Sequence, residues 1–381
     1  MRALRILITN HFLRGRTGSE LYVCELATSL LRRGHTPIVY SPQLGPAAQE
    51  LRNATVPVVD NLDAISTAPD VIHGQHHVET MSALLRFRNT PAVFFCHGWL
   101  PWEETPPKHP RILRFVAVDE TCRDRLVCEN AAPEDRVSVV LNSVDLEQFV
   151  PRAPLPTKPA RALVFSNGAS ETTHLGAVRE ACVRAQVSLD VVGADSGNIA
   201  ARPQELLGQY DIVFAKARCA LEALAVGNAV VLCDTAGVGP MVTTAEMEQL
   251  RRLNFGIRTL RERLGVDVLE REIARYDAND AAEVSRRIRA VAGRDGAIDQ
   301  IVALYHEVVR EFEETGIYDL DAEARAEAFY LRQLALHYEQ ERDTLLNSQT
   351  FRLRKRLLRL PFAGSLVKRL ATKKHTTHKM I

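Results

Sequence analysis

The sequence predicts an α/β protein built from two similar halves and a helical extension. Short β-branched runs alternate with longer helical patterns, which is typical of βαβ units around parallel sheets. The alternation starts again after a linker at 144–161, where four prolines lie close together. The length of 381 residues agrees with two domains and an appendage. We place the domains at 1–150, 151–318 and 319–381.

The first half begins with the strand RILIT at 5–9, followed by a loop and a helix over 20–33. Thr17 and Glu20 have the spacing of a capping box, and Gly34 is a natural helix stop. Further strands are expected at 37–41, 70–75, 92–97, 114–119 and 136–141.

The second half is expected to repeat this alternation and to end in a helical region over about 280–313. The long charged helix expected at 322–346 belongs to the extension. The predicted strands of the second half are 161–167, 187–193, 211–216 and 228–234, and the predicted helices lie near 174–185, 203–208, 219–226 and 243–254.

Composition excludes several classes of protein. With 46% hydrophobic and 25% charged residues, the chain is neither collagen-like nor wholly disordered. Seven cysteines without a C-x-x-C pair predict buried thiols in a reducing compartment. The N-terminus lacks the apolar region of a secretion signal, and no apolar window is long enough to span a bilayer. A cytoplasmic location is therefore expected.

The loop between the first strand and its helix is a candidate anion site. Gly18 allows a ligand to approach the backbone, and the amides of Ser19 and Glu20 open a helix N-terminus. The dinucleotide fingerprint G-x-G-x-x-G is absent here. The alternative is that this glycine serves only a turn.

His97 ends a predicted strand in CHG, where an imidazole could hydrogen-bond a substrate. A purely structural histidine is the alternative. Trp99 and Trp102 follow in a proline-rich loop and could stack on sugar rings or pack beneath the loop. The histidines of DVIHGQHH, at 73, 76 and 77, have no carboxylate at metal-ligand spacing, so no metal site is predicted.

The segment YDIVFAKARCALEALAVGNAVV holds the most informative residues of the second half. A strand ends at Lys216 and Arg218, and a helix is expected to begin near Cys219 with Glu222 in its first turn. Two cations beside a helix N-terminus suit a diphosphate. Glu222 is placed to accept hydrogen bonds from ribose hydroxyls, although complementing the helix dipole is the alternative role.

Together these motifs resemble retaining GT-B glycosyltransferases of the large family four, over about residues 4–315. The ordered matches are RILIT, LATSLLRRGHTPIVYS, DVIHGQHH, CHG, VAVD, NSVDLEQF and LEALAVGNAVV. The resemblance implies two Rossmann-like domains that face a cleft, with the acceptor bound mainly by the first and the donor mainly by the second.

The resemblance also implies roles for individual residues. Glu222 would hold the ribose of a nucleotide-sugar donor, and His97 would contact the transferred sugar. The donor phosphates would face Gly18 and Ser19 of the first half and the helix amides near Cys219. Asn142 of NSVDLEQF is assigned to the donor site with them. Catalysis would be electrostatic, without metal or cofactor, and the acceptor would be a saccharide or a lipid-linked saccharide.

The sequence also departs from the family pattern. The first of two family glutamates would fall at Phe214, and FSNGASETTHLG supplies neither of the family's two cations. We expect Lys216 and Arg218 to take over phosphate binding and charge stabilisation. Two alternatives stay open, namely a non-catalytic GT-B scaffold subunit and a nucleotide-sugar epimerase.

The C-terminal tail carries a distinct charge. Ten Lys and Arg residues and no acidic residue follow Phe351, so the net charge of +1 leaves −9 for residues 1–351. Leucines alternate with cations in FRLRKRLLRLPFAGSLVKRL, which predicts binding to an anionic membrane through residues 352–374 rather than to nucleic acid. The alternative is a solvated tail. We therefore expect a peripheral protein at the inner face of the membrane, and no oligomeric state is predicted.

Overall fold

A computed structural model describes residues 2–15, 17–198, 200, 202–315 and 319–358, with side chains to residue 356. The chain divides into two compact units. The larger comprises Met1–Pro107 and Arg111–Gly316, and the smaller comprises Lys108–Pro110 and Ile317–Ile381.

The first half of the larger unit contains a seven-stranded parallel sheet. Its strands are β1 (Arg5–Thr9), β2 (Thr36–Tyr40), β3 (Val58–Val59), β4 (Val71–Gly74), β5 (Ala92–Cys96), β6 (Ile112–Ala117) and β7 (Val137–Val139). The spatial order is β3-β2-β1-β4-β5-β6-β7, so the chain reverses direction across the sheet beside β1. In sheets of this kind, ligands bind outside the carboxyl ends of the strands at the reversal.

The helices of this half connect the parallel strands. They are α1 (Gly18–Arg32), α2 (Pro46–Asn53), α3 (His77–Arg86) and α4 (Glu120–Asp124). The predicted capping box at the start of α1 is confirmed, and the Glu20 carboxylate accepts hydrogen bonds from the amides of Thr17 at 2.8 Å and Gly15 at 2.6 Å. This one carboxylate fixes the loop that follows β1.

The second half contains a five-stranded sheet. Its strands are β8 (Arg161–Phe165), β9 (Ser188–Val192), β10 (Ile212–Ala215), β11 (Ala229–Asp234) and β12 (Gly237–Met241). The order is β12-β11-β10-β8-β9, and only β12 runs antiparallel to its neighbour. This strand was not expected, because two glycines and a proline give it no apolar alternation.

Six helices accompany the second sheet, α5 (Leu175–Arg184), α6 (Pro203–Leu207), α7 (Ala217–Val226), α8 (Met247–Arg252), α9 (Val266–Ile273) and α10 (Ala278–Val291). The expected two-sheet α/β architecture is therefore confirmed. Helix α11 (Arg294–Thr315) follows them, but its buried face packs into the core of the first half. Tyr305 lies in that core, and its hydroxyl contacts Nδ1 of His73 at 2.5 Å.

The smaller unit contains the predicted helical extension, with α12 (Leu320–Asn347) and α13 (Gln349–Leu358). Cations of α13 are exposed at 352, 354, 355 and 356. The rest of the segment predicted to meet a membrane, residues 359–374, lies outside the described residues. Among the helices that the structure describes, none is both long and apolar enough to cross a bilayer.

The seven cysteines carry free thiols, and Cys24, Cys96, Cys122, Cys182 and Cys233 are buried as predicted. Cys219 is half-buried and Cys128 is exposed.

Candidate active site

A cavity of about 370 Å³ lies between the two halves of the larger unit, where the strands of the first sheet end. We call it the cleft cavity. Its lining includes Gly18, Ser19, His97, Asn142 and Arg218, which are five of the predicted site residues. The first half contributes four of these and the second half one.

The start of α1 forms one wall of the cleft cavity. Gly18 is the first residue of the helix, and no atom lies within 4 Å of the position that a Cβ would take there. The amides of Gly18 and Ser19 have no intrahelical acceptor, whereas the capping box occupies the amide of Glu20. With the dipole of this 15-residue helix they make a wall suited to an anion.

His97 follows β5 and lies edge-on to the ring of Tyr22, with 4.4 Å between the ring centroids. Burial, with a smaller contribution from His76, lowers the pKa of His97 to about 3. The ring is therefore neutral at physiological pH. It can exchange hydrogen bonds with a ligand but adds no positive charge to the site.

Glu104 holds the chain at His97 and was missed in the sequence. Its Oε2 accepts the backbone amide of His97 at 2.9 Å, and its side chain also lines the cleft cavity. Burial raises the pKa of Glu104 to about 7, although the amides of His97 and Gly98 and the charge of Arg125 oppose this. The sequence signal for Glu104 was an acidic pair a few residues after a strand end. Acidic pairs are common in loops, so this one did not stand out.

Arg218 forms ion pairs on both sides of the cleft. Its Nε donates to Glu222 of the same helix, α7, at 2.8 Å, and its Nη1 donates to Glu25 of α1 at 2.9 Å. Burial alone would lower the pKa of Arg218, but the two carboxylates raise it above its usual range. The predicted phosphate cation is therefore already paired.

Arg294 extends this ion-pair network. It lies 2.8 Å from Glu25 and donates to Asp145 at 2.9 Å. Glu25 was not expected in the site, because a glutamate in the middle of an amphipathic helix resembles an ordinary exposed one. Its partners come from 193 residues further along the chain, at Arg218, and from the start of α11.

Three predicted site residues, Lys216, Cys219 and Glu222, do not line the cleft cavity. Lys216 caps α7 and pairs with Asp234 at the end of β11. Cys219 lies in the first turn of α7, and burial raises the pKa of its thiol to about 12, so the thiol stays protonated. Of the two predicted cations, Arg218 lines the cleft cavity together with Ala217 at the start of α7, and Lys216 does not.

The start of α7 corrects the predicted register. The helix begins at Ala217 rather than near Cys219, so Glu222 lies in the second turn instead of the first. Ala217 has a φ of +51° and donates its amide to the carbonyl of Phe255 at 2.8 Å. Burial raises the pKa of Glu222, and its pairing with Arg218 opposes this effect. Dipole complementation therefore does not explain this glutamate.

Among the remaining aromatic and histidine candidates, His76 lines the cleft cavity, and most of the others fill structural positions. Trp102 packs edge-on against His77, with 4.1 Å between the centroids, and His73 stacks on Phe95 at 3.9 Å. Trp99 donates from Nε1 to Glu129 at 3.1 Å. Neither tryptophan lines the cleft cavity. Packing under the loop therefore accounts for Trp102, and the acceptor role of Trp99 stays a prediction.

Comparison with known proteins bears on the fold and on the family of the first half. Residues 16–148 match the model of Glycosyltransferase Family 4. No curated protein matches the chain. A glycosyltransferase from Rickettsia africae ESF-5 is similar in structure, with a TM-score of 0.57 and 16% identity over 81% of this chain and 99% of that one.

Two further solved structures are similar. Anabaena Alr3699/HepE in complex with UDP-glucose has a TM-score of 0.62 and 14% identity, and covers 80% of this chain and 100% of its own. A putative UDP-N-acetylglucosamine 2-epimerase from Listeria monocytogenes has a TM-score of 0.50 and 14% identity, covering 79% and 95%. The expected resemblance to GT-B glycosyltransferases is confirmed for the fold over both halves and for the family over residues 16–148.

Proposed function

We propose that the chain is a glycosyltransferase that moves a sugar from a nucleoside diphosphate donor to a saccharide or lipid-linked acceptor. One observation carries the proposal, namely that the start of α1, His97 and Arg218 converge on a single cavity between two Rossmann-like halves. Anabaena HepE, which is similar in fold, was solved with UDP-glucose. A pyrimidine nucleoside diphosphate sugar is therefore the first donor to test.

The donor diphosphate would lie between the start of α1 and the guanidinium of Arg218. An arginine fork and helix amides together suit two phosphate groups. Because Arg218 is paired with Glu25 and Glu222, the diphosphate would have to replace at least one of these carboxylates. Release of Glu222 from Arg218 would leave its carboxylate available to accept hydrogen bonds from ribose hydroxyls.

Catalysis would come from stabilising the leaving diphosphate with fixed charge. Arg218 and the amides of α1 would meet the charge that develops on the phosphate oxygen. Neutral His97 would hydrogen-bond a hydroxyl of the transferred sugar and fix its position. Lys216 would act only if the donor freed it from Asp234. We propose retention of configuration and no metal requirement on the family resemblance.

The test is transfer from a panel of nucleotide sugars to saccharide and lipid-linked acceptors, followed with radiolabelled sugar. Glu222→Ala should abolish detectable nucleotide binding, since it removes the ribose contact. Glu248→Ala, at an exposed position of α8, is the matched control and should behave like the wild type. Unchanged nucleotide binding by Glu222→Ala would contradict the assignment.

A non-catalytic scaffold is the second candidate, and one observation favours it. The guanidinium expected to bind phosphate already satisfies two carboxylates, which would suit a permanent link between the halves. A scaffold would bind no nucleotide, and substitution of Glu222 would change only its stability. An epimerase would instead convert the nucleotide sugar without an acceptor, which chromatography of the same donors after incubation with the protein alone detects.

A further inference from the structure

Helix α12 buries a charged residue where an amphipathic helix normally buries apolar ones. Of its 28 residues, Glu323 is the one that is fully buried, at 3% exposure. Leu331, Leu345 and Phe329 on the same helix are exposed. A carboxylate leaves water at a high cost unless a positive charge or a metal ion accompanies it. The groups that lie close to Glu323 therefore decide how its charge is accommodated.

Two further ligating groups converge on Glu323. Glu327 lies one helical turn later, and His109 of Lys108–Pro110 belongs to the same compact unit. One ligating atom from each of the three side chains lies within 4.8 Å of the others. His109 is buried at 5% exposure, and Glu327 is half-buried. Two like charges at i,i+4 repel each other, so a cation between them would turn a cost into a gain.

The donor set indicates which cation fits. One imidazole nitrogen and two carboxylate oxygens form the mixed nitrogen and oxygen set that zinc accepts, with a fourth position left for water. Magnesium and calcium favour oxygen ligands alone. None of the three residues lines the cleft cavity, so the group is separate from the proposed transfer chemistry.

We propose that His109, Glu323 and Glu327 bind one divalent transition-metal ion, with Zn²⁺ as the preferred occupant. The site ties about the first two turns of α12 to the segment Lys108–Pro110. Bound metal stabilises the folded state, because the three ligands come together only there. The role is structural, and it does not depend on the proposed sugar transfer.

The test uses the full chain after chelation and dialysis, with Zn²⁺ as the titrant. The wild type should bind one equivalent through this site, and its thermal midpoint should rise on adding Zn²⁺. Glu323→Gln and His109→Ala should each weaken binding at this site at least about 10-fold. Glu339→Gln, at an exposed position of the same helix, should bind like the wild type. Co²⁺ in place of Zn²⁺ gives an absorption spectrum that reports the ligand set.

Two outcomes would overturn the proposal. Equal Zn²⁺ affinity and an unchanged Co²⁺ spectrum in all four proteins would place the metal on other histidines. No metal binding in the wild type, with a loss of stability in Glu323→Gln that Zn²⁺ does not affect, would mean that a protonated His109 neutralises the two carboxylates. Circular dichroism shows whether each variant has folded, and the Co²⁺ spectrum of Glu327→Gln gives a second readout if His109→Ala has not.

Discussion

Arg218 lines the cleft cavity and contacts the carboxylates of Glu25 and Glu222. A phosphate group has to compete with them, so part of the binding free energy of a donor is used to separate ion pairs. Such a competition compensates the charge of the guanidinium in the absence of a ligand and still leaves it available to an anion with a higher charge. The competing residue that belongs to the opposite half is Glu25.

Glu25→Gln should therefore strengthen nucleoside diphosphate binding. The substitution removes one competing charge, and because the pair is partly exposed the gain should be about 3- to 10-fold in Kd. Titration calorimetry with UDP measures it, with Glu248→Gln as the control at an exposed position. A Kd that rises or stays the same would mean that Glu25 does not compete with the ligand.

Glu104 predicts a pH dependence of stability. Burial raises the pKa of its carboxyl from 4.5 to about 7 in the folded protein, so the folded state binds a proton that the unfolded state has released between these values. The contribution of Glu104 is therefore greatest below pH 4.5 and is lost as the pH rises through 7. The loss amounts to about 3 kcal/mol.

Glu104→Gln separates this effect from that of the nearby histidines. The amide oxygen of glutamine can still accept the His97 amide but does not titrate. Between pH 5 and pH 8, the free energy of urea unfolding of the wild type should fall by about 2 to 3 kcal/mol relative to the variant. A parallel pH dependence in both proteins would show that Glu104 titrates normally.

At the scale of elements, features that depend on neighbouring residues could be predicted from the sequence, and features that depend on distant contacts could not. The capping box of Thr17 and Glu20 was predictable, because it depends on residues three apart. The start of α7 was not, because Ala217 takes a positive φ while its amide bonds to Phe255, 38 positions away in the chain. Strand β12 was missed for a similar reason, since its pairing with β11 supplies order that its glycine-containing sequence does not suggest.

Helix α13 begins the basic tail. The prediction at the scale of elements is that this helix binds an anionic membrane. Arg354→Gln with Lys355→Gln should weaken co-sedimentation with phosphatidylglycerol vesicles by roughly 10- to 30-fold, since each cation near an anionic surface contributes about 1 kcal/mol. Arg261→Gln with Arg263→Gln removes two exposed charges elsewhere and is the matched control. Equal binding of all three proteins, or equal binding to neutral vesicles, would remove the proposed anchor.

At the scale of the whole molecule, the sequence predicted the two sheets and the cleft but not the ion pairs of Glu25. The pairs Arg218–Glu25 and Arg294–Glu25 join α7 and α11 to α1. Helix α11 also follows the second half in sequence and packs in the core of the first. Neither arrangement leaves a periodic signal, because each depends on how separate elements meet. The sequence therefore predicted groups that face a ligand but not the carboxylates that form ion pairs with the arginines.

The central claim is that the cleft cavity binds the diphosphate of a nucleotide sugar through Arg218 and its neighbours. Titration of UDP into the wild type and into Lys216→Ala with Arg218→Ala tests it most directly. The account predicts saturable binding of one equivalent by the wild type, and at least about a 10-fold weaker Kd in the double variant. Unchanged affinity in a folded double variant, or no binding by the wild type to any nucleoside diphosphate, would contradict it.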